Sequence, residues 1–338
     1  MARVQTPVGR ELRLRDKTAM ASPAIGADTM SDDHERADHE GARHGGWLTY
    51  AMLGCVMAFW AGNSIVGRAV RGDIDPISLA TLRWVGASLV VTPLAWRGLR
   101  EDWAAIRMAW KPVLALCLTG VAGFNSLLYY GLQSTTATKA LLMQALIPGL
   151  VLVFAATAFR TREPARKVAG IVLSMAGAVY TIFEGSLDAL LSLDLGQGDL
   201  MVFGACILWA IYTLLLRFAP GVRPASLLWM TFVGGALALL SVGMLVPDRH
   251  VDWSGPVALA VGYVSIFPSV IAYFLFNAAV ARAGPAIAGQ AIALMPLAGA
   301  LLAALLLGEP LHGFHAVGMV AILAGIVIAA PRRVSRAS

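Results

Sequence analysis

From Trp47 onward the chain alternates apolar runs of about 20 residues with short polar stretches, and a bilayer core about 30 Å thick needs a run of that length per helix. The runs fall at 47–69, 77–96, 112–132, 137–159, 167–184, 199–219, 225–247, 254–280, 285–307 and 313–331. They predict an all-α integral membrane protein with ten transmembrane helices. Amphipathic periodicity is weak along them, because lipid and neighbouring helices are both apolar. A membrane barrel would instead alternate over segments of about ten residues, and this chain does not.

Composition sharpens that picture. Of the 338 residues, 58% are hydrophobic and 14% charged, against the roughly 25% charged of a soluble domain. Residues 1–46 stand apart: they are polar, carry both signs of charge and show no apolar stripe, so a disordered cytoplasmic tail is expected. Nothing in them resembles the apolar core of a signal peptide, and Met1, Met20 and Met30 are alternative starts. His34, His39 and His44 recur beside acids, a spacing open to weak metal binding or to a solvated tail. Cys55, Cys117 and Cys206 each lie inside an apolar run and imply no disulfide framework.

The net charge of +6 could suit nucleic acid, but the placement of the cations argues against it. They alternate from one connection to the next. The connections after the second, fourth, sixth and eighth runs hold Arg97, Arg100, Arg107 and Lys111; Arg160, Arg162, Arg166 and Lys167; Arg217 and Arg223; and Arg282. Arg332, Arg333 and Arg336 follow the last run, while the opposite connections offer Arg68, Arg71 and Arg249. Short loops rich in Lys and Arg stay in the cytoplasm. Both termini of a multi-pass protein are therefore expected there.

A second regularity is a repeat. Pro148 and Pro296 each sit inside an apolar run that ends in Glu-Pro, and they stand 148 positions apart. At the same offset, or one more, Gly170 and Gly177 match Gly318 and Gly325, Asp75-Pro76 matches Arg223-Pro224, and Trp60 matches Trp209. The organisation that follows is a tail 1–46, a five-helix repeat 47–184, an extracytoplasmic connection 185–198, a second repeat 199–331 and a tail 332–338. Five crossings are an odd number, so the two copies are inverted. Inverted repeats let one central site face each side of a membrane in turn.

The copies "PLAGALLAALLLGEPLHGFHAVGMVAILAGIVI" and "PGLVLVFAATAFRTREPARKVAGIVLSMAGAVY", with "FWAGNSIVGRAVRGDIDPISLATLRW" ahead of them, resemble the EamA-type domains of the drug/metabolite transporter superfamily. The resemblance covers about residues 48–331 and implies a ten-helix carrier of small metabolites in the bacterial inner membrane, often an exporter of amino acids or related compounds. The first copy departs from the usual Gly-Glu by having Arg162-Glu163.

Polar residues inside the runs are the candidates for a site, because burying them in a membrane is costly. Arg83 lies about seven residues, or roughly 10 Å, into its helix, and its fork suits a carboxylate or phosphate. Trp60 and Asn63 share a helix face, as do Trp209 and Tyr212 at an offset of 149; Asn125 and Tyr129 correspond to Tyr273 and Asn277 at 148. Gln144 and Gln290 lie in the fourth and ninth runs. Together these residues read as a substrate cavity on a pseudo-two-fold axis; singly, each could equally anchor at an interface or bridge helices. Pro148 and Pro296 read either as hinges or as static kinks. Lys139 is close enough to a boundary to snorkel, and Glu163 and Glu309 read as caps or loop anchors.

No cofactor is implied, and the expected partners are a small-molecule substrate and the bilayer, with a monomer or weak homodimer as the unit. His312 and His315 lack a third metal ligand nearby in sequence, there is no Gly-x-Ser-x-Gly elbow and no phosphate-binding Gly-rich loop. These gaps count against a membrane enzyme and against an ATP-driven pump. A channel or scaffold would differ in showing flux without saturation, or none. The leading reading is a secondary transporter of a zwitterionic or anionic metabolite working by alternating access, with a drug/proton antiporter as the alternative. Reporters fused at each terminus should both read cytoplasm and one placed near Asp194 the opposite side; a cytoplasmic signal near Asp194 would remove the inversion.

Overall fold

The computed structural model describes residues 28–160, 163–186, 188, 195–247, 249–283 and 291–329. It divides into two units, Met1–Gly45 and Gly46–Ser338. In the first unit, residues 28–45 are helical where disorder is expected. Composition leaves this stretch no core to bury, but its Ala, Glu and Arg residues, with no proline after Pro23, favour helix locally.

The second unit contains α1 (Trp47–Ala69), α2 (Pro76–Met108), α3 (Trp110–Ser134), α4 (Ala137–Phe159), α5 (Ala165–Ile182), α6 (Gln197–Phe218), α7 (Pro224–Gly243), α8 (Gly255–Ala279), α9 (Met295–Leu307) and α10 (Gly313–Ala329). The first eight are long and apolar enough to cross a membrane, and the last two are shorter apolar helices. Among the described residues the one β-like feature is the isolated bridge between Ile74 and Val251. The fold is all-α, that of a ten-helix membrane protein.

Local chemistry sets several boundaries. Asp75 caps α2 by accepting from the Ser78 N–H at 2.9 Å, and Pro76 occupies the first position, where a missing N–H costs nothing. Thr136 caps α4 and Ser254 caps α8. Gly308, at φ 67°, ends α9 in the left-handed region open to glycine, whereas Arg160 ends α4 there at φ 53° without that freedom. Helix α2 continues past the expected end at 96 to Met108. Its polar extension turns Ile106 onto Val113 and Cys117 of α3, so Arg97, Arg100 and Arg107 lie on a helix rather than in a loop.

Helices α5 and α10, equivalent in the repeat, pack against each other antiparallel. A Cβ at Gly177 would lie 2.7 Å from the Gly318 carbonyl oxygen, and one at Gly170 would collide with the Gly325 carbonyl. Between these contacts the Ser174 hydroxyl donates to the Ile322 carbonyl at 3.0 Å. Ser174 and Ile322 are themselves 148 apart, so the pseudo-two-fold axis passes between them. Small residues let the backbones meet, which is how helices associate where water supplies no drive.

At one end of the bundle the halves are clasped by carboxylates. Asp75 accepts from the His250 N–H at 3.1 Å, and buried Asp199 accepts from the Thr135 hydroxyl at 2.6 Å. Lys139 pairs with Asp199 at 2.8 Å, in place of the expected escape to water. Glu309 caps the start of α4 from across the bundle, accepting from the Ala137 N–H at 3.2 Å and the Thr138 hydroxyl at 2.6 Å.

Gly177→Ala should lower the thermal midpoint of the purified protein by an amount corresponding to about 1–3 kcal/mol, since backbone must shift on both helices. Gly262→Ala, where a Cβ meets nothing within 4 Å, should be neutral or mildly stabilising. Equal midpoints for the two variants would rule out the close α5–α10 crossing.

Candidate functional site

Arg83 is 4% exposed on α2, and its partners are all neutral. Its Nη1 donates to Asn63 Oδ1 and Asn125 Oδ1, both at 2.7 Å, and lies 3.0 Å from the Tyr129 hydroxyl. Tyr129 in turn donates to Asn63 Oδ1 at 2.6 Å. From the other half of the molecule, Ser269 Oγ accepts from Arg83 Nε at 2.8 Å. The guanidinium also lies 4.6 Å from the centre of the Trp84 ring. Among the described residues Nη2 has no hydrogen-bond partner and no carboxylate pairs with Arg83. Neutral acceptors solvate the charge without cancelling it, and an uncancelled charge in a low dielectric attracts an anion strongly.

Two π-helical turns supply the geometry. They occupy Cys117–Gly123 in α3 and Ile266–Ile271 in α8, which are matched positions of the repeat. A π turn takes carbonyls out of the regular ladder and leaves them available to side chains. In α3 the Val121 carbonyl accepts from Asn125 Nδ2 at 3.1 Å, which points Oδ1 at Arg83. In α8 the Pro268 carbonyl accepts from Trp60 Nε1 at 3.1 Å. Its neighbour Ser269 donates to the Val264 carbonyl at 2.8 Å and so keeps its oxygen turned to Arg83. One turn of α8 thus orients a cation and an aromatic ring belonging to the first half.

Beside Arg83 lies a cavity of about 40 Å³. Trp60, Asn63, Phe124, Asn125 and Gln144 line it from the first half, and Trp209, Tyr273, Ile292 and Met295 from the second. Ile147 completes it at the point where α4 breaks: a turn at 145–146 separates Ala137–Gln144 from Ile147–Phe159. Helix α9 starts in the same manner, a 3₁₀ turn at Ile292–Leu294 leading into Met295–Leu307. Pro148 and Pro296 therefore occupy first turns of helical segments, where proline is well tolerated, rather than kinking continuous helices. Trp60 faces Trp209 edge-on at 6.2 Å and Tyr273 at 6.0 Å.

The structure brings together seven of the eleven residues expected from sequence: Trp60, Asn63, Arg83, Asn125, Gln144, Trp209 and Tyr273. Tyr129 stands behind them, holding Asn63. Tyr212 and Asn277 do not line the cavity; Tyr212 is packed on Gly120, where a Cβ would strike its ring. Gln290 lies outside the described residues. Phe124, Ile147, Ile292, Met295 and Ser269 carry no mark of a site in sequence. The offset of 148 would have paired Met295 with Ile147 and Ile292 with Gln144.

A larger chamber, about 310 Å³, lies between α4, α5, α6 and α10. It shares Ile147, Trp209 and Ile292 with the small cavity, and Glu163, Lys167 and Ala329 line it near the end opposite the carboxylate clasps. Glu163 and Lys167 pair there at 3.0 Å. His312 and His315 lie elsewhere and stack on each other at 5.9 Å.

Comparison with known proteins agrees with this architecture. The EamA-like transporter family profile matches residues 47–183 and 196–330. The chain is similar to the uncharacterized transporter YyaM of Bacillus subtilis, 25% identical over 83% of this chain and 92% of that one. An uncharacterized transporter of Archaeoglobus fulgidus is 27% identical over 83% and 96%, and a WAT1-related protein of Arabidopsis thaliana 27% identical over 79% and 80%. A solved crystal structure shares the fold with a TM-score of 0.62, at 20% identity over 83% of this chain and 96% of that one. With both halves matched in tandem, the chain belongs to the EamA-like transporter family of the drug/metabolite transporter superfamily.

Proposed function

We propose that this membrane transporter moves a small zwitterionic or anionic metabolite, an amino acid or a relative of one, by alternating access and in the direction of export. The observation that carries this reading is Arg83, buried with four neutral partners and, among the described residues, no acid. A substrate carboxylate or phosphate on Nη2 would supply the missing charge. In this reading Trp60, Trp209 and Tyr273 contact the remainder of the substrate, Gln144 contributes a polar contact, and Pro148 and Pro296 lie at the points where helix segments swing.

A cavity of about 40 Å³ holds only a few water-sized groups, so the arrangement is close to an occluded one. The carboxylate clasps shut one end and the 310 Å³ chamber approaches the other. In this reading the chamber end, where the positive residues gather, faces the cytoplasm of a bacterial inner membrane, with both termini on that side. Cargo would then reach the site from within the cell. The site is built within one chain, so the monomer is taken as the working unit.

A thermal-shift screen against amino acids, sugars, nucleosides and cationic drugs, followed by liposome flux of each hit, tests the proposal. Arg83→Gln should cut flux by roughly tenfold to hundredfold, the worth of hydrogen bonds to a charged group, with Lys retaining part as a point charge. Asn125→Asp is isosteric and places a carboxylate on Arg83; it should abolish flux while leaving the thermal midpoint unchanged or higher. Normal transport by Arg83→Gln, or strong flux of a lipophilic cation that collapses with the proton gradient, would favour the antiporter instead.

The aromatic lining makes a separate prediction. Trp60→Ala and Trp209→Ala should impair flux well beyond Trp47→Ala and Trp253→Ala, whose rings are both 62% exposed, at matched expression. Equal losses at all four positions would mean general anchoring.

A further inference from the structure

The cavity lies on the pseudo-two-fold axis, yet its two sides differ in chemistry. The first half contributes Asn63, Arg83, Asn125 and Gln144 beside Trp60, Phe124 and Ile147; the second contributes Trp209, Tyr273, Ile292 and Met295, with no charged group and no amide. Two matched pairs are unequal: Gln144 corresponds to Ile292, and Arg83 to Thr231. Thr231 is not part of the lining, and its hydroxyl donates to the Leu228 carbonyl of its own helix at 3.0 Å. A symmetric frame has been given an asymmetric interior.

Apolar lining residues from both halves adjoin the larger chamber. Ile147, Trp209 and Ile292 are common to both spaces, and the chamber beyond them is walled by Val151, Leu152 and Ala155 of α4 and Ile171 of α5. Its charged groups, Glu163 and Lys167, are already paired with each other. On the polar side, Gln144 donates through Nε2 to the Ala140 carbonyl at 3.3 Å, which leaves its Oε1 as an acceptor next to a cavity whose strongest donor is Arg83.

We infer that the two spaces form one bipartite site for an amphipathic zwitterion. The head group binds on the first half, anionic oxygens on Arg83 Nη2 and ammonium on Gln144 Oε1. The apolar tail passes between Ile147, Trp209 and Ile292 into the chamber. This rests on the proposed anion role of Arg83 and adds to it the shape and polarity of the rest of the substrate. A compact head matches the small cavity, and a tail matches the apolar residues Ile147, Trp209 and Ile292 that the two spaces share. Gln144 is then the residue that separates zwitterions from plain carboxylates, because a site built to accept a hydrogen bond discriminates against an analogue that cannot donate it.

Binding to the purified full-length protein in lipid nanodiscs, with glycine, norvaline, norleucine and hexanoate as probes, tests the inference. Affinity should rise from glycine to norvaline to norleucine by about fourfold per methylene, and hexanoate should bind at least tenfold more weakly than norleucine. Val151→Trp, which fills the chamber outside the small cavity, should flatten the chain-length series while glycine binding persists, and Ile292→Ser, which makes the shared wall polar, should flatten the series as well. Gln144→Leu should bring norleucine down to the level of hexanoate. A flat series in the unaltered protein, a slope that survives both Val151→Trp and Ile292→Ser, or no binding of any probe overturns the bipartite site. Norleucine binding that keeps its slope in Arg83→Gln would instead overturn the anion role of Arg83 and leave the tail chamber standing, so the two failures are distinct.

Discussion

A guanidinium buried inside an apolar bundle must be solvated by something, and here side-chain oxygens do that work without bringing a negative charge. Asn63, Asn125 and Tyr129 hold one nitrogen of Arg83, and Ser269 holds another. Each of these groups needs its own orientation fixed, because an amide rotated by half a turn would present a donor to a donor. Carbonyls at these two places supply that orientation: Val121, inside the π turn of α3, accepts from Asn125, and Val264, just ahead of the π turn of α8 and four residues before Pro268, which has no N–H to offer it, accepts from Ser269. Irregular backbone at membrane depth is tolerated where side chains satisfy it. In this protein it lies where Arg83 requires it.

The second organising fact is the relation between the halves. Antiparallel packing of α5 on α10, glycine against glycine, is the contact that two inverted copies make at their axis. Around that axis the repeat places matched features: π turns in α3 and α8, and first-turn prolines in α4 and α9. The proposed function calls for an imperfect match. A metabolite with a head and a tail would be bound alike at both ends by an interior with identical sides. Under that proposal, a symmetric backbone carrying Gln144 opposite Ile292 and Arg83 opposite Thr231 would permit equivalent motions of the halves around an unsymmetrical ligand.

The two ends of the bundle differ in the same sense. Asp75, Asp199 and Glu309 each bond across from one helix to another at the clasped end, whereas Glu163 pairs with Lys167 on the next turn of its own segment. Glu163 and Glu309 are counterparts in sequence yet hold different partners. That difference in bonding accompanies a chamber at one end and a closed network at the other.

Much of this architecture is legible in the amino-acid sequence alone. Length and apolarity determine the number of crossings, since a bilayer admits few alternatives to a helix of about 20 residues. The offset of 148 reveals the duplication, and an odd number of helices per copy makes it inverted. Polar residues at mid-membrane stand out because burial there is costly, which is why Arg83, Asn63, Asn125 and Trp60 can be named from their positions. What sequence does not decide is which polar residues converge. Tyr212 has the same spacing and chemistry as its neighbours, yet the Gly120 surface takes it into packing. Ile147, Ile292 and Met295 line the site through breaks in α4 and at the start of α9, and Ser269 reaches Arg83 through a π turn. These outcomes depend on helix rotation and local unwinding, which are set by contacts between residues far apart in the chain. A one-dimensional pattern records the cost of burying a group, and only the packed bundle decides which partner offsets it.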